Sequence, residues 1–346
     1  MKNITAKSNK ICLLSPYYGT FPNYFHIWIE SAAKNTNIDF YIISDSEFNY
    51  QLYNNIFLIK RPLTAIKNKI EQITGFQIHL EKPYKLCDYR PAYGLIFDDI
   101  IANYDYWGWC DPDIIWGNLN ILLTNDILNN FDVIGGCGQL TIMKNTYDLN
   151  HYFFYQNKNI QSFSFLEACK TKRNLIFDEW GAPEIRRKLN IKTTSLYEWL
   201  FTKALDIIPP SYTTQNRPYP LMIRFNSFPI LVEYEDGHIW GYSIVNNEII
   251  KKEYAYCHLQ KRKIDIYLKV TNHFIIFNEL FLPVEMKDIC IKKLKETKST
   301  LLNKGRSTNR NKFNRFIPFL REAKISLFFR SLRLIGYKKI FPHEKK

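Results

Sequence analysis

The chain has 346 residues, 46% hydrophobic and 16% aromatic, enough apolar content to fill the core of one large domain or two smaller ones. No run of 18 apolar residues occurs, so no membrane-spanning helix is expected, and the polar start MKNITAKSNK leads to an apolar stretch too short for a signal-peptide core. Net charge is +14, but residues 286–346 hold 18 Lys/Arg against 4 Asp/Glu while residues 1–285 hold 29 of each. The basicity therefore belongs to the tail, which argues against a nucleic-acid footprint spread over the main domain.

In chain order, "KICLLSPYY" reads as a short strand stopped at Pro16. "FPNYFHIWIESAAKN" places Phe25, Trp28, Ile29 and Ala32 at helical spacing, and "IDFYIISD" is a β-branched and aromatic strand ending at Asp45. A strand–helix–strand opening implies a βαβ unit and a parallel sheet. "YNNIFLIK" is the next predicted strand. A loop and then a helix over 91–103 follow, and "DYWGWCD" is a strand that runs into two aspartates. "ILLTNDILNN" reads as a helix, and "FDVIGGCGQLTIMKN" as strand, glycine-rich turn and strand. Residues 145–200 read as helical with long polar faces, and residues 205–275 as shorter strands. Seven cysteines at scattered positions, with no CxxC, read as reduced core thiols and suit a cytoplasmic protein.

"WGWCDPDIIWGNL" carries Asp111 and Asp113 within apolar and aromatic surroundings. Charge is expensive there unless a cation meets it. Either both side chains leave one face of a continuing strand, or Pro112 breaks the strand and both carboxylates cap its carboxyl end. Both geometries direct two hard oxygen ligands at one Mg²⁺ or Mn²⁺, which a diphosphate and water would complete. A polar turn is the plain alternative.

Upstream, "YKLCDYRPAYG" carries Lys85, Asp88 and Arg90. Downstream, "YCHLQKRK" carries His258 and Lys261. This arrangement resembles the GT-A glycosyltransferases. In several retaining families of that fold, an Asp and an Arg open a helix before the DxD strand, and a late His and Lys supply a third metal ligand and a phosphate contact. Together, "SPYYG…FPNYFHIWIESAAKN", "KLCDYRPAYG", "DYWGWCDPDIIWGNL" and "HLQKRK" resemble a bacterial family of DxD-type glycosyltransferases found among lipopolysaccharide and capsule biosynthesis proteins, over roughly residues 10–265. Two departures are visible. "YWGWC" replaces a Gly-Gly-x-Tyr before the DxD, and the late segment lacks the usual glycine between His and Lys.

The resemblance implies an α/β GT-A fold, Rossmann-like, with a mostly parallel central sheet and flanking helices over residues 1–285. It implies a metal site of Asp111, Asp113 and His258, with Mn²⁺ or Mg²⁺. Lys261 would reach the diphosphate, and Lys85, Asp88 and Arg90 would meet the donor. Tyr17 or Tyr18 would stack on the base, and Asp45 would accept from base or ribose. Each residue keeps a plain alternative: a helix cap and surface ion pair for Asp88 and Arg90, a satisfied core histidine for His258, a solvated charge run for Lys261, and ordinary strand-end chemistry for Tyr17, Tyr18 and Asp45. "IFDEWGAPEIRRK" sets Asp178 and Glu179 between Phe177 and Trp180, an apolar setting that raises a carboxylate's pKa. They are the candidates for a sugar-binding or base role, with a helix cap or a solvated helix face as the plain alternative. "GGCGQL" lacks the order of a dinucleotide site, and its small residues leave room for a sugar beside the backbone.

Residues 286–315 read as a basic linker and 316–346 as a basic, moderately amphipathic helical segment suited to an anionic membrane surface, with a helix docked on the main domain or a nucleic-acid-binding arm as the plain alternatives. The reading is thus a hexosyl-transferring enzyme at the inner face of the cytoplasmic membrane. It would use a nucleotide-sugar donor, UDP-linked by preference, and a glycan or glycolipid acceptor, with a retaining outcome favoured and no nucleic-acid partner. The rivals are another metal-dependent phosphate-cleaving or nucleotidyl-transfer enzyme, or a non-catalytic protein bound to membrane or nucleic acid.

Overall fold

A computed structural model describes residues 9–157, 160, 162–194, 204–208, 212–214, 228–260, 264–268, 270–277 and 280–304. The apolar runs read from the sequence become β1 (Ile11–Pro16), β2 (Ile38–Ser44), β3 (Ile56–Lys60) and β4 (Tyr106–Cys110), all mutually parallel. Beyond Pro112 the short β5 (Ile114–Trp116) leaves for another sheet, while β6 (Val133–Cys137) and β7 (Leu140–Lys144) close the first sheet as an antiparallel pair. The strand order is β3-β2-β1-β4-β7-β6. The expected α/β architecture with a mostly parallel central sheet is therefore what the chain forms.

β1 is apolar almost throughout because both its faces are covered. Ile11 and Leu13 point to one side, where helix α1 (Phe25–Ala33) lays down Phe25, Trp28, Ile29 and Ala32. Cys12 and Leu14 point to the other, where helix α2 (Leu63–Thr74) contributes Ile66 and Ile70. The i, i+3, i+4 spacing in α1 makes this layering possible. α2 stops at Gly75, whose φ of +77° favours glycine.

β1 lies between β2 and β4, so the chain moves outward in one direction after β1 and in the other after β4. In open α/β sheets ligands bind beyond the carboxyl ends of strands at such a switch point. Tyr17 and Tyr18 follow the end of β1, Asp45 follows β2, and Asp111 follows β4.

Tight pairing holds β4 in place. A Cβ on Gly108 would overlap the carbonyl oxygen of Thr141 on β7. Gly108→Ala is therefore expected to destabilise the domain by about 3 kcal/mol through strand separation. Urea denaturation checks this; a change under about 1 kcal/mol would contradict the close approach.

Two further sheets follow. One joins β5 to strands Tyr256–His258, Ala204–Ile208, Tyr212–Thr214 and Phe228–Pro229. The other is largely antiparallel and contains Leu231–Glu235, His238–Val245 and His273–Phe277. Against it packs the helix Lys287–Lys304, burying Cys290 and Leu294. Buried Glu233 pins the start of that helix, accepting from Lys287 Nζ at 2.8 Å, Tyr242 Oη at 2.5 Å and His273 Nε2 at 3.1 Å.

The structure thus differs from the linker expected over 286–315, since the chain is helical at Lys287–Lys304. Cys290 and Leu294, four apart, supply an apolar face that the lysine-rich composition hides. The amphipathic segment expected at 316–346 lies outside the described residues. The helix expected over 91–103 is instead a 3-10 segment at Pro83–Ala92 followed by single turns at Tyr93–Ile96 and Asp98–Ile101. Among the described residues of 145–194 the helices are all short, among them Phe165–Cys169 and Gly181–Lys188. Among the described residues no helix is long and apolar enough to cross a membrane.

Candidate metal and donor site

β4 ends at Cys110, and the Asp111–Asp113 turn separates it from β5. The second of the two geometries for the aspartates is the one adopted. Their backbone is anchored on three sides. Asp111 N donates to Gln139 O (3.0 Å), Trp28 Nε1 donates to Asp111 O (3.1 Å), and Leu259 N donates to Asp113 O (2.8 Å).

β5 runs antiparallel to Tyr256–His258 with Ile114 opposite His258. That register carries His258 from far along the chain to the aspartates. Its Nε2 lies 3.4 Å from Asp113 Oδ1 and 3.8 Å from Asp111 Oδ2. One ligand atom from each of the three residues falls within 4.8 Å of the others. Asp113 is fully buried and Asp111 nearly so. Two carboxylate oxygens and one imidazole nitrogen form a mixed hard and borderline donor set that could hold a divalent cation.

Arg90 is the hub beside this trio. Its Nη2 donates to Asp111 Oδ1, and its Nη1 donates to Asp178 Oδ2 (2.8 Å) and to Gly138 O (2.6 Å). The same carbonyl accepts from Trp109 Nε1 at 3.0 Å. Burial pushes the Asp178 carboxyl up to about 6 against the pull of Arg90. Surrounding protein, and then the Asp178 charge, also push Glu179 upward. Glu179 keeps access to solvent as well, and water screens part of that effect. Asp178 Oδ1 is buried with no hydrogen-bond partner among the described residues. A buried acceptor left open in this way is ready for a hydroxyl donor.

Four carboxylates, Asp111, Asp113, Asp178 and Glu179, thus converge on one guanidinium and one imidazole. Part of that negative charge is offset by protons, since Asp178 and Glu179 are both pushed upward. The glycine turn does not leave the open space expected of it. A Cβ on Gly138 would overlap the Glu179 carboxyl and lie 3.3 Å from Arg90 Nη1, so the chain's own side chains use that room.

Other expected residues sit as follows. Tyr18 is buried and donates to Arg61 O at 3.0 Å, whereas half-buried Tyr17 packs on Phe21 with ring centroids 5.1 Å apart. Asp45 is exposed at the end of β2. Lys85 and Asp88 are buried and bonded to each other at 2.6 Å. Lys261 lies outside the described residues. Trp28 was expected only on a helix face and "GGCGQL" only as room for a sugar; the bonds of Trp28 to Asp111 O and of Arg90 and Trp109 to Gly138 O had no cue beyond the glycines and the tryptophans around the DPD.

A family model described as "Family of unknown function (DUF6625)" matches residues 13–285. The chain belongs to the DUF6625 family. The matched stretch includes Asp111, Asp113, Asp178 and His258. No curated protein matches the sequence. Among solved structures, the galactosyltransferase LgtC in complex with donor and acceptor sugar analogues is similar at 10% identity, covering 56% of this chain and 75% of that chain, with a TM-score of 0.29. An active-site mutant of LgtC is similar at 11% identity, covering 72% and 88%, with a TM-score of 0.32. Likeness this distant carries no inference about activity.

Proposed function

We propose that this DUF6625 protein is a metal-dependent glycosyltransferase of GT-A type. It moves a hexose from a nucleoside-diphosphate sugar, UDP-linked by preference, to a hydroxyl of a surface polysaccharide or lipid-linked oligosaccharide. The observation that carries the reading is the convergence of Asp111, Asp113 and His258 within 4.8 Å at the carboxyl end of β4, beside the switch point of the sheet. Asp178, with one oxygen still open, stands next to it.

In this reading Asp111, Asp113 and His258 hold Mn²⁺ or Mg²⁺, which would neutralise charge on the departing diphosphate. Tyr17 and Asp45, on adjacent strand ends, flank the nucleoside. Asp178 accepts from a sugar hydroxyl through Oδ1 while Arg90 fixes its other oxygen. Lys261 reaches the diphosphate. An inverting reaction needs a free general base at the acceptor. Asp178 is tied to Arg90 rather than free, so a retaining outcome fits it better. The basic chain after residue 286 is assigned to an anionic lipid surface at the cytoplasmic membrane, where such acceptors are built.

Thermal stability against UDP, GDP, CDP, CMP and dTDP, each with and without Mn²⁺, tests the reading. A ligand bound by the native state alone raises the midpoint. A metal-dependent rise with one diphosphate is the expected result. No rise with any of them would overturn the reading, and phosphate release from a nucleotide without a sugar acceptor would favour a phosphate-cleaving enzyme.

A further inference from the structure

Lys85 and Asp88 match donor-site positions in the sequence, yet the structure turns both inward. Asp88 is fully buried, and its two oxygens are committed. Oδ1 accepts from Phe177 N at 2.8 Å, and Oδ2 accepts from Leu175 N at 3.0 Å and from Lys85 Nζ at 2.6 Å. Lys85 Nζ also donates to Arg173 O at 2.5 Å. The partners of this buried pair therefore include three backbone groups of one segment, residues 173–177.

That segment is strained. Ile176, between the two amides that Asp88 holds, has a φ of +54°. A β-branched residue strongly disfavours this region. Its own N–H donates to Asn174 Oδ1 at 2.8 Å, and its carbonyl accepts from Glu179 N and Trp180 N, both at 3.1 Å. The kink at Ile176 thus sets where Asp178 and Glu179 emerge. Charge-assisted bonds to a buried carboxylate can hold such a conformation.

We propose that Asp88, backed by Lys85, is a positioning residue that clamps the strained 173–177 turn and so presents Asp178 and Glu179 to the donor. It does not touch the donor itself. Arg90, two residues on, takes the Asp178 side chain, so one short 3-10 segment fixes both the turn that leads into Asp178 and the carboxylate of Asp178 itself. The functional part of this inference rests on the reading of Asp178 and Glu179 as donor-site groups; the clamp rests on the geometry alone.

The test compares the full chain with Asp88→Asn, Ile176→Gly and the double variant. An asparagine places an NH₂ against one of the amides, so only one bond survives. Hydrogen exchange at the Leu175 and Phe177 amides is expected to quicken about 10- to 100-fold in Asp88→Asn, with protection of β1, β2 and β4 kept. Turnover of the nucleotide sugar found active with the parent protein is expected to fall through kcat, with KM within about threefold and Mn²⁺ affinity unchanged. Glycine adopts the positive φ without strain, so Ile176→Gly in the Asp88→Asn background is expected to restore part of both the protection and kcat. A residue that merely stabilises the fold would not be rescued at that one position. Should Asp88→Asn fail to fold, Lys85→Arg keeps the buried positive charge and both amide bonds while altering the bond to the Arg173 carbonyl, and is expected to give a milder form of the same pattern. Parental exchange rates at both amides, or losses that Ile176→Gly leaves untouched, would overturn the clamp. Absence of turnover with every nucleotide sugar in the parent protein would remove the glycosyltransferase reading and leave the exchange measurements to decide the clamp.

Discussion

Asp113→Ala is expected to lower metal-dependent donor turnover by about 1000-fold or more while leaving the fold intact. Asp113 is fully buried at the base of the trio, and its Oδ1 lies 3.4 Å from His258 Nε2. No other carboxylate among the described residues stands in the same turn except Asp111, which already shares an oxygen with Arg90. One ligand lost from three leaves a divalent cation poorly held, and the charge it would neutralise on a diphosphate is worth several kcal/mol in the transition state. The fold should survive because removing one of four clustered carboxylates relieves repulsion, and Leu259 N still finds the backbone carbonyl of residue 113. Circular dichroism and single-turnover kinetics check the two halves. Turnover within tenfold of the parent would exclude Asp113 as a metal ligand for the reaction.

Arg90→Met is expected to show the largest effect on stability, about 3–5 kcal/mol near neutral pH, because it strands buried Asp111 and Asp178 without their shared cation. The loss should depend on pH. Asp178 is already raised to about 6 in the folded protein, above its ordinary value, so the folded state holds the extra proton in the window between the two. Its favourable contribution is fully present below the unfolded value and fades as pH rises through about 6. Without Arg90 that carboxyl rises further, so the variant loses more stability than the parent as pH rises. The gap between the two should therefore widen from pH 5 to pH 8. Urea denaturation at several pH values measures it. A deficit below about 1 kcal/mol at pH 7.5, or one that narrows as pH rises, would show that Arg90 is not the hub of the carboxylate cluster.

Much of the frame was legible in the sequence for physical reasons. β1 and β2 read directly because strands covered on both faces are apolar without interruption, and α1 read because its buried residues recur at helical spacing. Asp111 and Asp113 stood out because carboxylates are rare among Trp107, Trp109, Ile114, Ile115 and Trp116. The meeting of His258 with them depends on the pairing of Ile114 with His258, a long-range register that no local pattern encodes; the resemblance supplied it instead. The inward turn of Lys85 and Asp88 was not legible. The 83–92 segment is 3-10 and lacks a hydrophobic period, and the positive φ at Ile176 has no local cue, since Gly or Asn would be the usual signal. The helix Lys287–Lys304 was hidden by composition, because two buried residues, Cys290 and Leu294, and the Glu233–Lys287 pair fix its start among many lysines.

Titration of the purified chain with Mn²⁺, following loss of the free-ion paramagnetic resonance signal, tests the central claim most directly. One ion bound per chain is expected, held at least about tenfold more tightly when the matching nucleoside diphosphate is present and lost in both Asp113→Ala and His258→Ala. Binding that is absent, or that survives both substitutions, would contradict a metal-dependent site at Asp111, Asp113 and His258.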